Sequence, residues 1–224
     1  MDSAVAETTS IAQHFLACLA GSPMQSQPWR HWLLNDAFPP GVCAAIAALP
    51  FVPAAIADTL GKRETHNASR IYFSPENQAQ FPVCADVAAA FQSPATVAAL
   101  EKNCGTRLDG TSLRIEYCLD TDGFWLEPHT DIGVKKFTML VYLSDEPGAQ
   151  DWGTDIYDGA QNWVGSAPYR RNGGLIFIPS EDTWHGFRKR PINGVRKSII
   201  INYVGPEWRA RHELAFPDRP AAPR

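Results

Sequence analysis

The chain has 224 residues, of which 45% are hydrophobic and 11% aromatic, and this is enough material for one folded core. Its formal net charge is −4 at pH 7, so it lacks the basic excess that is typical of nucleic-acid-binding proteins. No segment approaches the roughly 20 apolar residues that span a bilayer, and the acidic N-terminus does not fit a secretory signal. We therefore expect a cytoplasmic domain with neither a membrane nor a nucleic-acid partner.

The cysteines also favour a cytoplasmic location. An odd number of cysteines without Cys-x-x-Cys spacing indicates free thiols rather than a disulfide scaffold or a zinc site. We interpret them as small buried hydrophobic residues in a reducing environment. The five residues are Cys18, Cys43, Cys84, Cys104 and Cys118.

The first half of the chain predicts helices. Residues 1–28 are predicted to be weakly structured or helical. In Ser93-Pro94 we expect a cap followed by a proline in the first helical turn, and Gly105 fits a helix stop. The other helices are predicted at residues 41–49, 83–91 and 95–103.

After Gly105 the chain predicts strands. Short segments rich in β-branched and aromatic residues follow one another, separated by Gly, Pro, Asp and Asn. Their spacing favours a sandwich or barrel over βαβ units, so the fold class is mainly β with N-terminal helices. The strands are predicted at residues 111–118, 124–129, 136–143, 154–157, 175–178, 183–187 and 197–204.

Two separated motifs suggest a metal site. His129 and Asp131 stand at positions i and i+2, which share one face of an extended strand. His185 lies 56 positions later and would have to come from another strand of the barrel. Two imidazoles and one carboxylate leave coordination positions open on a metal, an arrangement that suits non-haem Fe(II) oxygenases. The alternative is that each motif occurs by chance.

A cationic residue follows the second histidine. Arg196 and Ser198 share a strand face, and the arginine fork binds a carboxylate with two hydrogen bonds. A second anionic ligand beside the metal would need such a partner. The alternative is a surface Arg-Lys pair next to the Asn193-Gly194 turn.

The stretch from Tyr117 to Val204 resembles the prolyl-4-hydroxylase-like branch of the 2-oxoglutarate/Fe(II)-dependent dioxygenases. The motifs occur in the order of that family, and Arg196 stands 11 positions after His185, near the family's cosubstrate anchor. The turn contains Trp152-Gly153 where many members have Gly-Gly, and the loop before His129 is longer than usual. The matching segments are residues 127–131, 137–145, 152–157, 174–177, 184–187 and 196–198.

The resemblance implies a double-stranded β-helix core, which is a jelly-roll or cupin-like fold. We expect the whole chain, 1–224, to form a single domain of this kind. Its regions would be a helical support and lid at 1–105, a jelly-roll core at 106–206 and a C-terminal tail at 207–224.

The resemblance also implies an active site. It makes His129, Asp131 and His185 the catalytic Fe(II) ligands, with 2-oxoglutarate and O2 as cosubstrates. Arg196 and Ser198 would hold 2-oxoglutarate. Further candidates for contact with the cosubstrate are Tyr117 and Tyr142.

Tyr117 shares its strand face with Ile115 and Leu113, and we expect that face to point inward; the alternative is a core tyrosine. For the substrate, the polar segment 61–78 is a candidate lid, although an exposed connection fits equally well. His66, in this segment, has no partner at metal spacing. The candidate substrate residues are Arg70, Tyr72, Asp155 and Arg188.

The implied activity is hydroxylation of an unactivated C–H bond in a small substrate such as an amino acid, giving succinate and CO2 as coproducts. Peptidyl, carbohydrate or lipid hydroxylation by the same mechanism is an alternative. Desaturation or ring formation would use the same residues. A different class is a non-catalytic metal- or ligand-binding jelly roll, and a third is an enzyme of this fold that uses another metal without 2-oxoglutarate. The sequence does not determine the oligomeric state.

Overall fold

The computed structural model of the protein describes residues 2–63 and 70–223. Within these residues the chain forms helices mainly in its first half and strands mainly in its second. The α-helices are α1 (Asp2–Ala20), α2 (Pro40–Ala47), α3 (Pro75–Gln80), α4 (Pro82–Gln92) and α5 (Pro94–Cys104). The strands are β1 (Met24–Gln25), β2 (His31–Leu34), β3 (Ile71–Tyr72), β4 (Ser112–Asp120), β5 (Leu126–His129), β6 (Lys135–Tyr142), β7 (Asp155–Tyr157), β8 (Trp163–Ser166), β9 (Gly174–Phe177), β10 (His185–Phe187) and β11 (Arg196–Val204).

The strands form two antiparallel sheets. The major sheet has the order β1-β2-β9-β6-β11-β4-β3, and the minor sheet has the order β5-β10-β7-β8. Strands that are distant in sequence are neighbours in both sheets, as expected for a double-sheet jelly roll. This topology brings β5 and β10 side by side, although more than fifty residues separate them.

Alternation along β11 separates two hydrophobic cores. Ile199 and Ile201 point to the helices, where they join a large apolar cluster. Ser198 and Ile200 point to the opposite side, between the two sheets, where Ile200 packs against a second, smaller cluster. We call this second side the barrel interior. The candidate site lies there, while the first core attaches the helical layer.

Helix α1 packs its apolar face on the helix-side core. Ile11, Phe15 and Leu19 recur every four residues and are fully or almost fully buried. The remaining helices begin at residues that suit a helix N-terminus. Ser93 accepts a hydrogen bond from the Thr96 amide as the cap of α5.

Both predicted ends of α5 are confirmed, in their positions and in the residues that form them. Pro94 occupies the first turn, and Gly105 ends the helix in the left-handed conformation, with φ of 64°. Each of the seven predicted strands has a counterpart in the structure.

Four strands were not predicted from the sequence, namely β1, β2, β3 and β8. Short apolar runs such as His31–Leu34 have too few residues for periodicity to distinguish strand from helix. Because β1, β2 and β3 join the major sheet, the first half of the chain supplies sheet as well as helices. The division at residue 105 remains a prediction.

Among the described residues, no single helix is long and apolar enough to cross a membrane. Helices α4 and α5 meet the length and composition requirement only when they are counted together, across a bend of 56°.

Candidate metal centre and cosubstrate pocket

Neighbouring strands of the minor sheet bring the two histidines together. His129 ends β5 and is the direct antiparallel partner of His185, which begins β10. Their ring centroids are 4.4 Å apart. Asp131 lies two residues beyond His129, and one potential ligand atom from each of the three residues falls within 4.8 Å of the others. The antiparallel register therefore assembles the three predicted ligands.

Backbone carbonyls orient both imidazoles. Nδ1 of His129 lies 2.8 Å from the Glu127 carbonyl oxygen, and Nδ1 of His185 lies 2.9 Å from that of Thr183. Because a carbonyl oxygen can only accept a hydrogen bond, each Nδ1 must donate a proton. The lone pair of each Nε2 is then available to a metal, as in metal sites where a second partner fixes the tautomer.

The charge states also suit a divalent metal. Burial, with the neighbouring His129, lowers the pKa of His185 to about 4, so its imidazole is neutral. Burial alone would raise the pKa of Asp131, but the Lys135 ammonium, His185 and the Thr138 hydroxyl hold it well below its usual range. Near neutral pH the site therefore presents a neutral His185 imidazole and an ionised Asp131 carboxylate.

Both oxygens of Asp131 have hydrogen-bond partners within the barrel. The Lys135 ammonium donates to Oδ1 at 2.5 Å, and the Thr138 hydroxyl donates to Oδ2 at 2.7 Å. Asn202 in turn donates to the Thr138 hydroxyl at 2.9 Å. This chain of contacts fixes the carboxylate beside the histidines before any metal binds.

Arg196 and Ser198 line the same pocket as the three candidate ligands. Arg196 is 4% exposed, its Nε donates to the Trp152 carbonyl at 2.9 Å, and one terminal nitrogen donates to Asp120 at 2.6 Å. The alternative of a surface Arg-Lys pair is therefore excluded for Arg196. We call this space the interior pocket; its lining residues include Arg63, Phe124, Leu140, Thr154, Phe187 and Ile200.

Ser198 carries a polar atom without a protein partner. Its hydroxyl oxygen is buried and makes no hydrogen bond within the described part of the chain. A buried hydroxyl that lacks a partner loses free energy, so this atom indicates a ligand in the interior pocket. The pocket thus offers a buried guanidinium and an unsatisfied hydroxyl, which fits a carboxylate.

The Trp152-Gly153 turn supports Arg196 directly. A Cβ atom on Gly153 would lie 1.9 Å from the Ala167 carbonyl oxygen, so only glycine allows this close approach of two backbone segments. The Trp152 carbonyl that receives Arg196 is held in place by the same turn. The tryptophan that replaces the first glycine of this turn therefore leaves the hydrogen bond to Arg196 intact.

The prediction that the Tyr117 side chain points toward the cosubstrate is wrong. Tyr117 does share a strand face with Ile115, but this face packs on the helices, and its ring contacts Phe51. Its hydroxyl lies 3.4 Å from the Ala47 carbonyl oxygen. The core-tyrosine alternative describes this residue.

Tyr142 lies in the barrel interior but behind the pocket wall. Its hydroxyl donates to the Thr154 hydroxyl at 3.0 Å and accepts from the Thr154 amide at 3.2 Å. Its ring stacks on Tyr169. Since Thr154 lines the interior pocket, Tyr142 can position that residue without itself lining the pocket.

The candidate substrate residues fall into two groups. Arg70 lines a second cavity at the mouth of the barrel, together with His129 and Asp131. Tyr72 is buried beneath the guanidinium of Arg114, which donates to its hydroxyl at 3.3 Å, so it does not reach this cavity. His66 and the rest of 64–69 lie outside the described residues, so the lid remains a prediction.

Asp155 and Arg188 lie on the outer face of the minor sheet. Asp155 is fully buried there, where its carboxylate accepts from Ser166 at 2.6 Å and pairs with Arg190. Arg188 stacks on Trp163 at 3.8 Å. Alternation explains the error, because Ile156 and not Asp155 is paired with His185 and shares its side of the sheet.

Sequence reasoning missed the charged face of β4. Three charged side chains of β4 point into the barrel, beside the polar side chains of the neighbouring strand β11: Arg114, Glu116 and Asp120. Charged residues at alternate positions, between apolar ones, were a readable signal of a polar interior face. The preference for Tyr117 as an inward residue chose the wrong face of this strand.

No known family model matches the sequence, and no curated protein matches it. Solved structures do match the fold. A prolyl-4-hydroxylase from Pseudomonas putida aligns with a TM-score of 0.54 at 15% identity, covering 87% of this chain and 94% of that one. A prolyl hydroxylase from Trichoplax adhaerens, in complex with a hypoxia inducible factor peptide fragment, aligns with a TM-score of 0.55 at 11% identity over 89% and 91%.

A third structure is HygX from Streptomyces hygroscopicus with nickel and 2-oxoglutarate bound. It aligns with a TM-score of 0.51 at 16% identity, covering 80% of this chain and 84% of that one. The chain therefore has the double-stranded β-helix fold of the 2-oxoglutarate/Fe(II)-dependent oxygenases, and the predicted fold class is confirmed. Two of these matched structures are prolyl hydroxylases, and the sequence motifs resemble the same branch.

Proposed function

We propose that this protein is a 2-oxoglutarate- and Fe(II)-dependent dioxygenase that hydroxylates a C–H bond of a small organic substrate. The observation that carries the proposal is one pocket lined by His129, Asp131 and His185 and, on its wall, by Arg196 and Ser198. The three ligands would hold the metal and leave coordination positions open. When they are bound, Fe(II) and 2-oxoglutarate would allow O2 to oxidise the substrate, and succinate and CO2 would form as coproducts.

The residues around the ligands would prepare the site for that chemistry. The Arg196 guanidinium would donate to the distal carboxylate of 2-oxoglutarate, and the Ser198 hydroxyl would add a second donor. Thr138 fixes the orientation of the Asp131 carboxylate through its 2.7 Å hydrogen bond. Leu140, Phe187 and other apolar residues of the wall would exclude water, which strengthens these polar contacts.

The first test is an anaerobic titration with Fe(II) and 2-oxoglutarate, followed by oxygen consumption with and without 2-oxoglutarate. A visible metal-to-ligand charge-transfer band and oxygen uptake that requires 2-oxoglutarate support the proposal. Equal oxygen uptake in both conditions indicates an enzyme of this fold with another mechanism. Absence of any band in folded, metal-loaded protein favours the non-catalytic binding protein.

Arg196→Lys is expected to weaken 2-oxoglutarate binding by about 10- to 100-fold. Lysine keeps the positive charge but loses the planar fork, and charged hydrogen bonds contribute about 1.5–3 kcal/mol. The charge-transfer band reports the dissociation constant in an anaerobic titration. Arg171→Lys is the control, because Arg171 pairs with Asp145 at the surface. Unchanged affinity in Arg196→Lys would remove Arg196 from the proposed pocket.

Ser198→Ala is expected to weaken 2-oxoglutarate binding by about three- to tenfold, the size of one neutral hydrogen bond of about 0.5–1.5 kcal/mol. The melting temperature of the ligand-free protein should stay the same or rise, because the hydroxyl has no partner among the described residues. Calorimetric titration and thermal melting measure the two effects. Ser112→Ala, at the start of β4, is the control; a large loss of stability in Ser198→Ala would contradict this role.

The location and the substrate class remain proposals. The five cysteines are free, which fits a reducing compartment such as the cytoplasm. Peptidyl, carbohydrate and lipid substrates would use the same metal site, so a substrate screen should include them after amino acids.

A further inference from the structure

The guanidinium of Arg196 has a counterion inside the protein. Asp120, on β4, is the direct antiparallel partner of Arg196 on β11. The carboxylate of Asp120 accepts a hydrogen bond from Nη1 of Arg196 at 2.6 Å, and the two residues are 5% and 4% exposed. A buried guanidinium needs a negative charge beside it, and Asp120 supplies this charge before any ligand enters the interior pocket.

Further contacts hold the guanidinium in this position. Nε of Arg196 donates to the Trp152 carbonyl oxygen at 2.9 Å. The guanidinium carbon lies 4.5 Å from the centre of the Phe187 ring and 6.0 Å from that of the Phe124 ring, and both rings line the interior pocket. Turning away from Asp120 would therefore cost Arg196 these contacts as well.

Arg196 keeps donors for a ligand while it is paired with Asp120. A guanidinium has five N–H groups, and the hydrogen bonds within residues 2–63 and 70–223 use two of them. Arg196 and Ser198 line the interior pocket, whereas Asp120 is not part of that lining. A ligand carboxylate would thus bind the guanidinium in addition to Asp120 rather than in its place.

Two carboxylates on one guanidinium repel each other. The charge of Arg196 is already balanced by Asp120, so a second carboxylate gains less free energy than it would from an arginine without a counterion. The repulsion is strong because the pair is buried, where salt and water screen charges weakly. Arg63 lies 3.9 Å from the other oxygen of Asp120, but loss of the Asp120 charge would favour an incoming anion in either case.

The same repulsion would act on the coproduct. Oxidative decarboxylation of 2-oxoglutarate releases its first carboxylate as CO2, and the distal carboxylate is retained in succinate. Succinate lacks the ketone with which 2-oxoglutarate would bind the metal, so the contact with Arg196 contributes a larger share of its binding. A weaker contact there would favour the release of succinate after each turnover.

We propose that Asp120 is a positioning residue that sets the affinity of the interior pocket for dicarboxylates. It holds the Arg196 guanidinium in place and neutralises it in the ligand-free protein. It also lowers the affinity for 2-oxoglutarate and succinate, so that cosubstrate and coproduct exchange readily. This inference rests on the proposed function, because it concerns the exchange of ligands at that same site.

The test compares Asp120→Asn with the wild type by calorimetric titration of Ni(II)-loaded protein. Asparagine keeps the shape and an acceptor oxygen for Arg196 but removes the negative charge. We expect 2-oxoglutarate to bind at least about tenfold more tightly to the variant. Succinate, measured by competition with 2-oxoglutarate, should gain a similar factor. 2-Oxopentanoate has a methyl group in place of the distal carboxylate, and its affinity should stay as in the wild type.

Asp122→Asn is the matched control, because Asp122 is exposed, lies outside the lining of the interior pocket and carries the same charge. It should bind all three ligands like the wild type. Thermal melting checks the folding of each variant. Asp120→Ser removes the same charge with a smaller side chain, and it decides the test if Asp120→Asn fails to fold. Failure of both variants to fold overturns the proposal, because Asp120 would then be required for the fold itself.

The outcomes separate the inference from the proposed function. Unchanged or weaker binding of 2-oxoglutarate by folded Asp120→Asn overturns the inference, and so does an equal gain for 2-oxopentanoate. An equal gain in Asp122→Asn also overturns it, since the effect would then come from net charge alone. In these cases the wild type still binds 2-oxoglutarate, and the proposed function stands. If neither the wild type nor Asp120→Asn binds 2-oxoglutarate, the proposed function fails and the inference fails with it.

Discussion

His185→Ala is expected to abolish the charge-transfer band and to reduce 2-oxoglutarate-dependent oxygen uptake by more than about 100-fold. Loss of residues that merely orient metal ligands costs about 10- to 100-fold, and removal of a ligand itself should cost more. His185 is buried and neutral, with its Nδ1 fixed on the Thr183 carbonyl, so alanine removes a pre-oriented ligand. Titration with Ni(II) measures the loss of metal affinity independently of turnover.

The control for this prediction is His14→Ala. His14 lies in α1, donates to the Asp36 carbonyl oxygen at 2.9 Å and belongs neither to the lining of the interior pocket nor to the candidate metal ligands. It should bind metal and consume oxygen like the wild type. If His185→Ala keeps wild-type metal affinity while remaining folded, the metal centre must lie elsewhere.

Glu116→Gln is expected to lower the free energy of unfolding by about 3–5 kcal/mol, the usual cost of removing one partner from a buried ion pair. The substitution keeps the shape of the side chain but leaves the Arg63, Arg70 and Arg114 guanidiniums without their shared negative charge. For a chain of this size the melting temperature should fall by about 10 °C. Thermal and urea unfolding measure the two quantities.

This stabilisation has a defined pH dependence. Burial alone would raise the pKa of Glu116, but Arg63, Arg114 and Arg70 hold it well below its usual range. A carboxyl group with a lowered pKa in the folded state stabilises the protein above the pKa of the unfolded state, and this stabilisation is lost as the pH falls. The difference in stability between wild type and Glu116→Gln should therefore be constant near neutral pH and shrink below about pH 4.

Glu181→Gln provides the matched control, since Glu181 is exposed and the change in net charge is the same. Its melting temperature should stay within about 1–2 °C of the wild type, as is usual for surface substitutions. A similar small shift in Glu116→Gln would mean that the three guanidiniums do not depend on this carboxylate.

Two of the candidate metal ligands, His129 and Asp131, could be predicted to lie together because their spacing is a local property. His129 and Asp131 are two residues apart, so any strand geometry places them on one side of the chain. Arg196 and Ser198 follow the same rule on β11. The resemblance of these ordered motifs to a known dioxygenase family implied the jelly-roll class, and the structure confirms that class.

Alternation alone does not determine which face of a strand points into the barrel. Tyr117 and Glu116 are neighbours on β4, and alternation says only that they point to opposite sides. Packing decided the outcome: helices cover the Tyr117 side, whereas the barrel interior receives Glu116. The same uncertainty explains Asp155, which points outward because its neighbour Ile156 is paired with His185.

The sequence by itself thus determined the types of element, their order and the chemical identity of the candidate ligands, because propensity and period-two spacing act over a few residues. Only the tertiary structure decided which residues meet. The partnership of Arg196 with Asp120 and the convergence of Arg63 and Arg70 on Glu116 join positions 46 to 76 residues apart. Such contacts depend on sheet order and register, which arise from the packing of the whole chain rather than from any local pattern.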